Sequence, residues 1–187
     1  PPGLVTTADD EKGRETVYSL LPQGLPWMGP VGRLDMASEG LLLFSNDPAW
    51  AARIADPATG PTKTYHVQID RIPDAVLLSA LHAGVDAEID GRRTHLAAVS
   101  AHLLRSGEKH AWVEIVLDEG RNRQIRRLLA ACDIAVLRLV RVAFGGLALG
   151  ELPNLADAKL NLANLLFVEP ARLVLAIARD EGNRVAF

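Results

Sequence analysis

Residues 31–47, VGRLDMASEGLLLFSND, constrain this chain more than any other stretch. Residues 41–44 are consecutively apolar, preceded by a glycine and followed closely by Asn46, Asp47 and Pro48. A short apolar run bounded by turn residues reads as a buried strand. Directly ahead of it, Arg33 and Asp35 stand two residues apart in a glycine-led tetrapeptide, with Glu39 and Gly40 next. Charges at the mouth of a buried strand either brace a turn or do chemistry.

The rest of the chain supplies short strands and helices without a regular alternation. GLVTT reads as a short strand, TVYSLLP as a helical turn stopped by Pro22, and PAWAARIAD as a helix with Asp47 as its cap and Pro48 in its first turn. KTYHVQID alternates, with Tyr65, Val67 and Ile69 on one face and Thr64, His66 and Gln68 on the other. DAVLLSALHAG is a helix closed by Gly84; two or three strands run through THLAAVSAHLLR and HAWVEIVLDEG. NRQIRRLLAACD reads as a helix, and AVLRLVRVAFGGLALGEL as a strand, a turn and a strand. This order favours an α+β fold with a mixed, mainly antiparallel sheet flanked by helices. Residues 153–187 read as a separate, mostly helical tail by periodicity.

Charge matters through its distribution. The net charge of −3 excludes a protein that binds nucleic acid simply by being basic. Between positions 121 and 141, however, six arginines (121, 123, 126, 127, 138 and 141) face one acid, Asp133. Such a block predicts either a localised anion-binding surface or a solvated helix face. A single cysteine, Cys132, rules out an internal disulfide and reads as a core thiol in a reducing, cytoplasmic setting. No run of 18 apolar residues signals a membrane span. The five histidines show no metal-ligand spacing, and there is no GxGxxG, Walker or HExxH motif.

At about 100° per residue, Ile125, Leu128, Leu129 and Cys132 fall on one helical stripe, Arg123 and Arg127 fall opposite, and Arg126 lies on the flank. A flank guanidinium can hold a carboxylate against a protein wall, and Asp35 is the natural candidate. An aspartate kept ionised by a fixed cation could attack a sugar carbon. Tyr65 offers a flat ring for stacking and a phenol to handle a proton. Each has a plainer reading: Asp35 as a turn cap, Tyr65 as a core aromatic, Arg126 as a surface ion-pair partner.

GRLDMASEGLLLFSND resembles the catalytic motif of the RsuA/RluB/RluE/RluF-type pseudouridine synthases. KTYHV is similar to their second motif, and EGRNRQIRRLLAACDIAVLRLVRVAFGGLALGEL to their third. With PPGLVTTADDEKGRETVYSLLP at the start, the likeness runs in order from Pro1 to about Leu152. The resemblance implies the pseudouridine synthase fold, with two lobes around a central cleft, and conversion of uridine to pseudouridine in RNA, here ribosomal RNA. It implies Asp35, Tyr65 and Arg126 as catalytic residues. Arg33, Arg121, Arg123 and Arg127 would meet the RNA, and Leu139 (with Leu137 and Val140 as alternatives) would pack under the base. An isomerisation needs no cofactor and no metal; the expected protein is a cytoplasmic monomer without a membrane partner.

The same resemblance expects an N-terminal S4 RNA-binding domain, which this chain lacks; its PPG start reads as an internal cut. Residues 153–187 depart from the usual ending. Two other classes remain open: an inactive RNA-binding or ribosome-assembly factor on the same fold, and a hydrolase built on a carboxylate pair such as Asp35 with Glu39 or Asp118 with Glu119.

Overall fold

The apolar run after Gly40 becomes a strand whose successive side chains enter two different cores. Leu42 and Phe44 pack with Val17 and Met28, whereas Leu41 and Leu43 pack with Val31 and Phe144. Period-two alternation with both faces covered is why the run needs no polar residue. The computed structural model describes residues 2–21, 23–89 and 91–149, together with the backbone of strands at 165–169 and 172–177.

Twelve strands and three α-helices are described. A 3-10 turn, Val17–Leu20, is capped by Thr16. The first strands are β1 (Gly29–Pro30), β2 (Glu39–Gly40) and β3 (Leu42–Ser45), followed by α1 (Pro48–Ala55). Next come β4 (Lys63–Ile69), α2 (Ala75–Ala83), and the hairpin β5 (Val85–Ile89) and β6 (Arg92–Leu96). Then β7 (Ser100–Ser106) and β8 (Ala111–Leu117) lead to α3 (Gln124–Ala130), β9 (Val136–Phe144) and β10 (Leu147–Ala148). The last are β11 (Leu165–Glu169) and β12 (Arg172–Ile177).

The larger sheet has the order β10-β9-β4-β8-β7, with β2 added to β9, and β2–β9 is its one parallel pairing. The smaller sheet, β1-β3-β12-β11, is antiparallel throughout. This is the expected α+β architecture, and residues 31–38 bridge its two sheets. The main core lies between the larger sheet (Val67, Ile69, Ile115, Leu139) and the stripe of α3, where Ile125, Leu128 and Leu129 are buried and Cys132 packs at the margin. The helix starts are built locally: the Asp47 carboxylate accepts from the Trp50 N–H at 2.9 Å and the Asp74 carboxylate from the Leu77 N–H at 2.8 Å.

Three expectations are corrected. GLVTT forms only an isolated parallel bridge, Val5 to Thr16, because the backbone turns there, with the Thr7 N–H donating back to the Val5 carbonyl at 3.0 Å instead of extending a ladder. The hairpin strand Val85–Ile89 was not anticipated. Within the tail, residues 165–169 and 172–177 are strands, with β12 hydrogen-bonded along β3; the remainder of the helical expectation lies outside the described residues. A free strand edge beside a buried apolar strand decides that outcome against helical periodicity. Among the described residues, no helix is long and apolar enough to cross a membrane.

His66 is buried on β4, with Nε2 3.4 Å from the Glu114 carboxylate. Burial pushes its imidazole below the usual 6.5, Glu114 opposes, and Arg105 adds to the lowering. The unfolded chain therefore takes up this proton at higher pH than the folded one. Stability from neutral His66 is present above pH 6.5 and is lost as pH falls below it toward the lowered folded value. Urea midpoints measured across that window should drop with acid in the wild type, and His66→Gln should flatten the drop. An equally steep drop in the variant would place the acid sensitivity elsewhere.

Candidate active site

Residues 31–38 leave β1 through Gly32, at φ 71°, and carry the Asp35 carboxylate to the sheet junction. The carbonyls from Arg33 to Ala37 all accept hydrogen bonds, all but that of Asp35 from outside the loop. The Thr6 hydroxyl donates to the Leu34 carbonyl at 2.8 Å, Gly3 N–H to the Met36 carbonyl at 2.6 Å, and Ser38 N–H to the Asp35 carbonyl at 2.8 Å. From α3, Arg126 Nη2 donates to the Ala37 carbonyl at 2.8 Å. From β9, Arg141 Nε donates to the Leu41 carbonyl at 2.7 Å and Nη1 to the Arg33 carbonyl at 3.4 Å. Two guanidiniums from distant sequence thus pin the backbone on either side of Asp35.

The loop closes one side of a cavity of about 320 Å³. Asp35, Tyr65, Arg126 and Leu139 all line it, as do Arg33, Arg121 and Arg123. Tyr65 reaches it because β4 presents residues 63, 65 and 67 on one face, and its half-buried ring rests on the edge of the main core. Leu139 lies beside it on β9, buried at the wall; its alternatives Leu137 and Val140 are not part of the lining. Arg33, Arg121 and Arg123 are exposed at the mouth. Arg121 Nε is 2.7 Å from the Glu119 carboxylate. Arg123 caps α3 with φ 53°, a left-handed conformation costing a non-glycine residue about 1 kcal/mol or more.

Arg126 differs from expectation in its partner. Its guanidinium bonds the Ala37 carbonyl, and among the described residues it forms no ion pair with Asp35, although that carboxylate attracts it. Burial, then the neighbouring Arg123, push the Arg126 guanidinium below its usual value, and Asp35 opposes both. Arg127 lies outside the cavity, half-buried, with Nη2 3.5 Å from the Asn122 side chain.

The arginine block is therefore not one exposed patch. Arg121, Arg123, Arg126 and Arg141 surround the cavity; Arg138 makes two bonds to the Glu39 carboxylate, at 2.5 and 3.1 Å. That pairing also takes Glu39 out of any carboxylate pair with Asp35, and Glu119 is held by Arg121 and Gln124. Polar lining residues not singled out from the sequence are Ser38, Lys63, Asn122, Gln124 and, as a buried rather than surface group, Arg141. The signal was present: Lys63 lies two residues before Tyr65 on a period-two strand, and Arg141 two after Leu139. Among the described residues no three His, Cys, Asp or Glu side chains are grouped as metal ligands.

The arrangement places one carboxylate, one phenol and an apolar wall in a cleft ringed by cations. Comparison with known proteins agrees with it. Ribosomal large subunit pseudouridine synthase B of Escherichia coli (strain K12) is 38% identical across the whole of this chain, which covers 62% of that protein. An uncharacterized RNA pseudouridine synthase of Rickettsia bellii is 38% identical over 82% of this chain and 65% of its own length. The chain thus spans less than two thirds of the length of these relatives. A crystal structure of a pseudouridylate synthase superimposes with a TM-score of 0.67 at 28% identity, covering 80% of this chain and 61% of that one. The archaeal box H/ACA Nop10–Cbf5 complex shares the fold alone, at a TM-score of 0.51 and 18% identity. The sequence pattern of the family described as RNA pseudouridylate synthase matches residues 1–131, and the chain belongs to that family.

Proposed function

We propose that this chain converts uridine to pseudouridine in RNA, with ribosomal RNA as its substrate. The observation that carries the reading is the convergence of Asp35, Tyr65, Leu139 and Arg126 on one cavity ringed by arginines. The reaction breaks the N1–C1′ bond, turns the uracil in place and forms the C5–C1′ bond, with C5 losing a proton and N1 gaining one. Atoms and electrons balance without an oxidant or reductant.

In this reading Asp35 either attacks C1′ or removes the 2′ proton of the sugar. Arg126 acts through the loop: by holding the Ala37 carbonyl it positions Asp35. Tyr65 stacks on the uracil and helps remove the C5 proton, while Leu139 packs beneath the base. The target nucleotide must leave its stack, at a cost of a few kcal/mol that contacts from Arg33, Arg121 and Arg123 offset. The relative named as acting on the large ribosomal subunit supports the choice of substrate. A monomer working in the cytoplasm belongs to the same proposal.

The test is pseudouridine formation in unmodified ribosomal RNA fragments, read by primer extension after carbodiimide treatment. A new stop is expected. RNA binding without any stop would favour the inactive assembly factor. Binding electrostatics form a separate prediction. Arg123→Ala should weaken RNA binding and lower the slope of log affinity against log salt by about one phosphate contact. Arg127, expected from the sequence to do the same, should contribute less because it lies outside the cavity. Titration at several salt concentrations checks both, and an unchanged slope in Arg123→Ala would make that arginine structural.

A further inference from the structure

Behind Tyr65 the cavity wall contains two buried cations. Lys63 is 5% exposed and Arg141 3% exposed, and both line the cavity. Register brings them together: Tyr65 pairs with Arg141 and Lys63 with Phe144 across β4 and β9, with a bulge between Thr64 and Tyr65. The Lys63 ammonium and the Arg141 guanidinium each lie 5.5 Å from the centroid of the same Phe144 ring. Lys63 Nζ and Arg141 Nη2 are buried and have no hydrogen-bond partner among the described residues. Neither side chain forms an ion pair there, although Asp118 attracts Lys63 from a distance.

Such a pair is costly. Burying a cation without a counter-charge is unfavourable, and setting a second cation beside it adds repulsion. Burial and Arg141 together push the Lys63 ammonium below its usual value. The wider lining deepens the imbalance, for Lys63, Arg33, Arg121, Arg123, Arg126 and Arg141 face a single carboxylate, Asp35. A neutral carbonyl could accept one hydrogen bond but would leave both charges uncompensated. An oxyanion with several acceptor oxygens satisfies both donors and the charge.

We propose that Lys63 and Arg141 form an anion subsite in the cavity wall that takes a phosphate group. Resting on the function proposed above, that group is the phosphodiester flanking the nucleotide whose base is isomerised. The subsite fixes the sugar while the base turns, and its cost in stability is a property of the free protein that the bound phosphate removes.

Inorganic phosphate is the first probe, with chloride at matched ionic strength as reference. The wild type should melt higher in phosphate than in chloride, and the Lys63 Nζ resonance should shift. Lys63→Met should melt above the wild type in chloride, lose the phosphate-specific rise and bind phosphate about tenfold more weakly or worse; Lys63→Arg should keep the rise. No phosphate-specific rise or resonance shift in the wild type, or a full rise in Lys63→Met, overturns the subsite. RNA carrying a neutral methylphosphonate on the 5′ or the 3′ side of the target uridine then identifies the phosphate: one replacement weakens wild-type binding and leaves Lys63→Met unaffected. Equal binding of both RNAs by the wild type would sever the subsite from the substrate. If phosphate binds as expected but no RNA is isomerised, the functional reading fails while the subsite stands.

Discussion

Asp35→Asn should lower pseudouridine formation by about a thousandfold or more, a loss of roughly 4 kcal/mol of transition-state stabilisation. The amide keeps the shape of the side chain but can neither attack C1′ nor take a proton from the sugar. Folding should be spared. Among the described residues the Asp35 side chain makes no hydrogen bond or ion pair, and the turn depends on its backbone carbonyl, which accepts from Ser38. A stability change within about 1 kcal/mol is expected. Single-turnover assays on the same RNA fragments, beside thermal melts, separate the two quantities. Activity within tenfold of wild type would remove Asp35 from the chemistry.

The second large effect concerns Gly40, where the Asp35 loop enters the sheet. Gly40 has φ 105°, and a Cβ added there would collide with the backbone O and N of Arg141. Those atoms cannot move aside, because β2 pairs with β9 at this register and the Leu41 N–H donates to the Arg141 carbonyl at 2.8 Å. Gly40→Ala should therefore destabilise the fold by about 3 kcal/mol or more, combining backbone strain with overpacking. It should also reduce activity, since Arg141 holds carbonyls on both sides of Asp35. Gly13→Ala is the comparison: its φ of 66° is also positive, but its Cβ would meet nothing within 4 Å. It should cost about 1 kcal/mol, the conformational penalty alone. Urea denaturation of the two variants decides the point, and equal losses would refute the collision.

Much of the site was legible because its signals are local. The charges of GRLD before an apolar run, the period-two alternation from Tyr65 and the stripe of Ile125, Leu128 and Leu129 each depend on neighbours within a few residues. They predicted β3, β4 and α3 and named the side chains that meet at the cavity. That Leu139 lines the cavity while Leu137 and Val140 do not is visible only in the fold.

The chain's own order of residues determined that an α+β fold would form, where its buried strand and amphipathic helix would lie, and which family it joins. Tertiary structure alone decided that Arg126 holds the Ala37 carbonyl, that Glu39 belongs to Arg138, and that residues 172–177 add a strand to β3. It also decided that Lys63 and Arg141 are buried together. The physical reason is the same in each case. Burial, partner and pairing energies of a charge or an edge depend on groups brought near by folding, for instance across 108 residues between Arg141 and Arg33. Local periodicity carries no record of them.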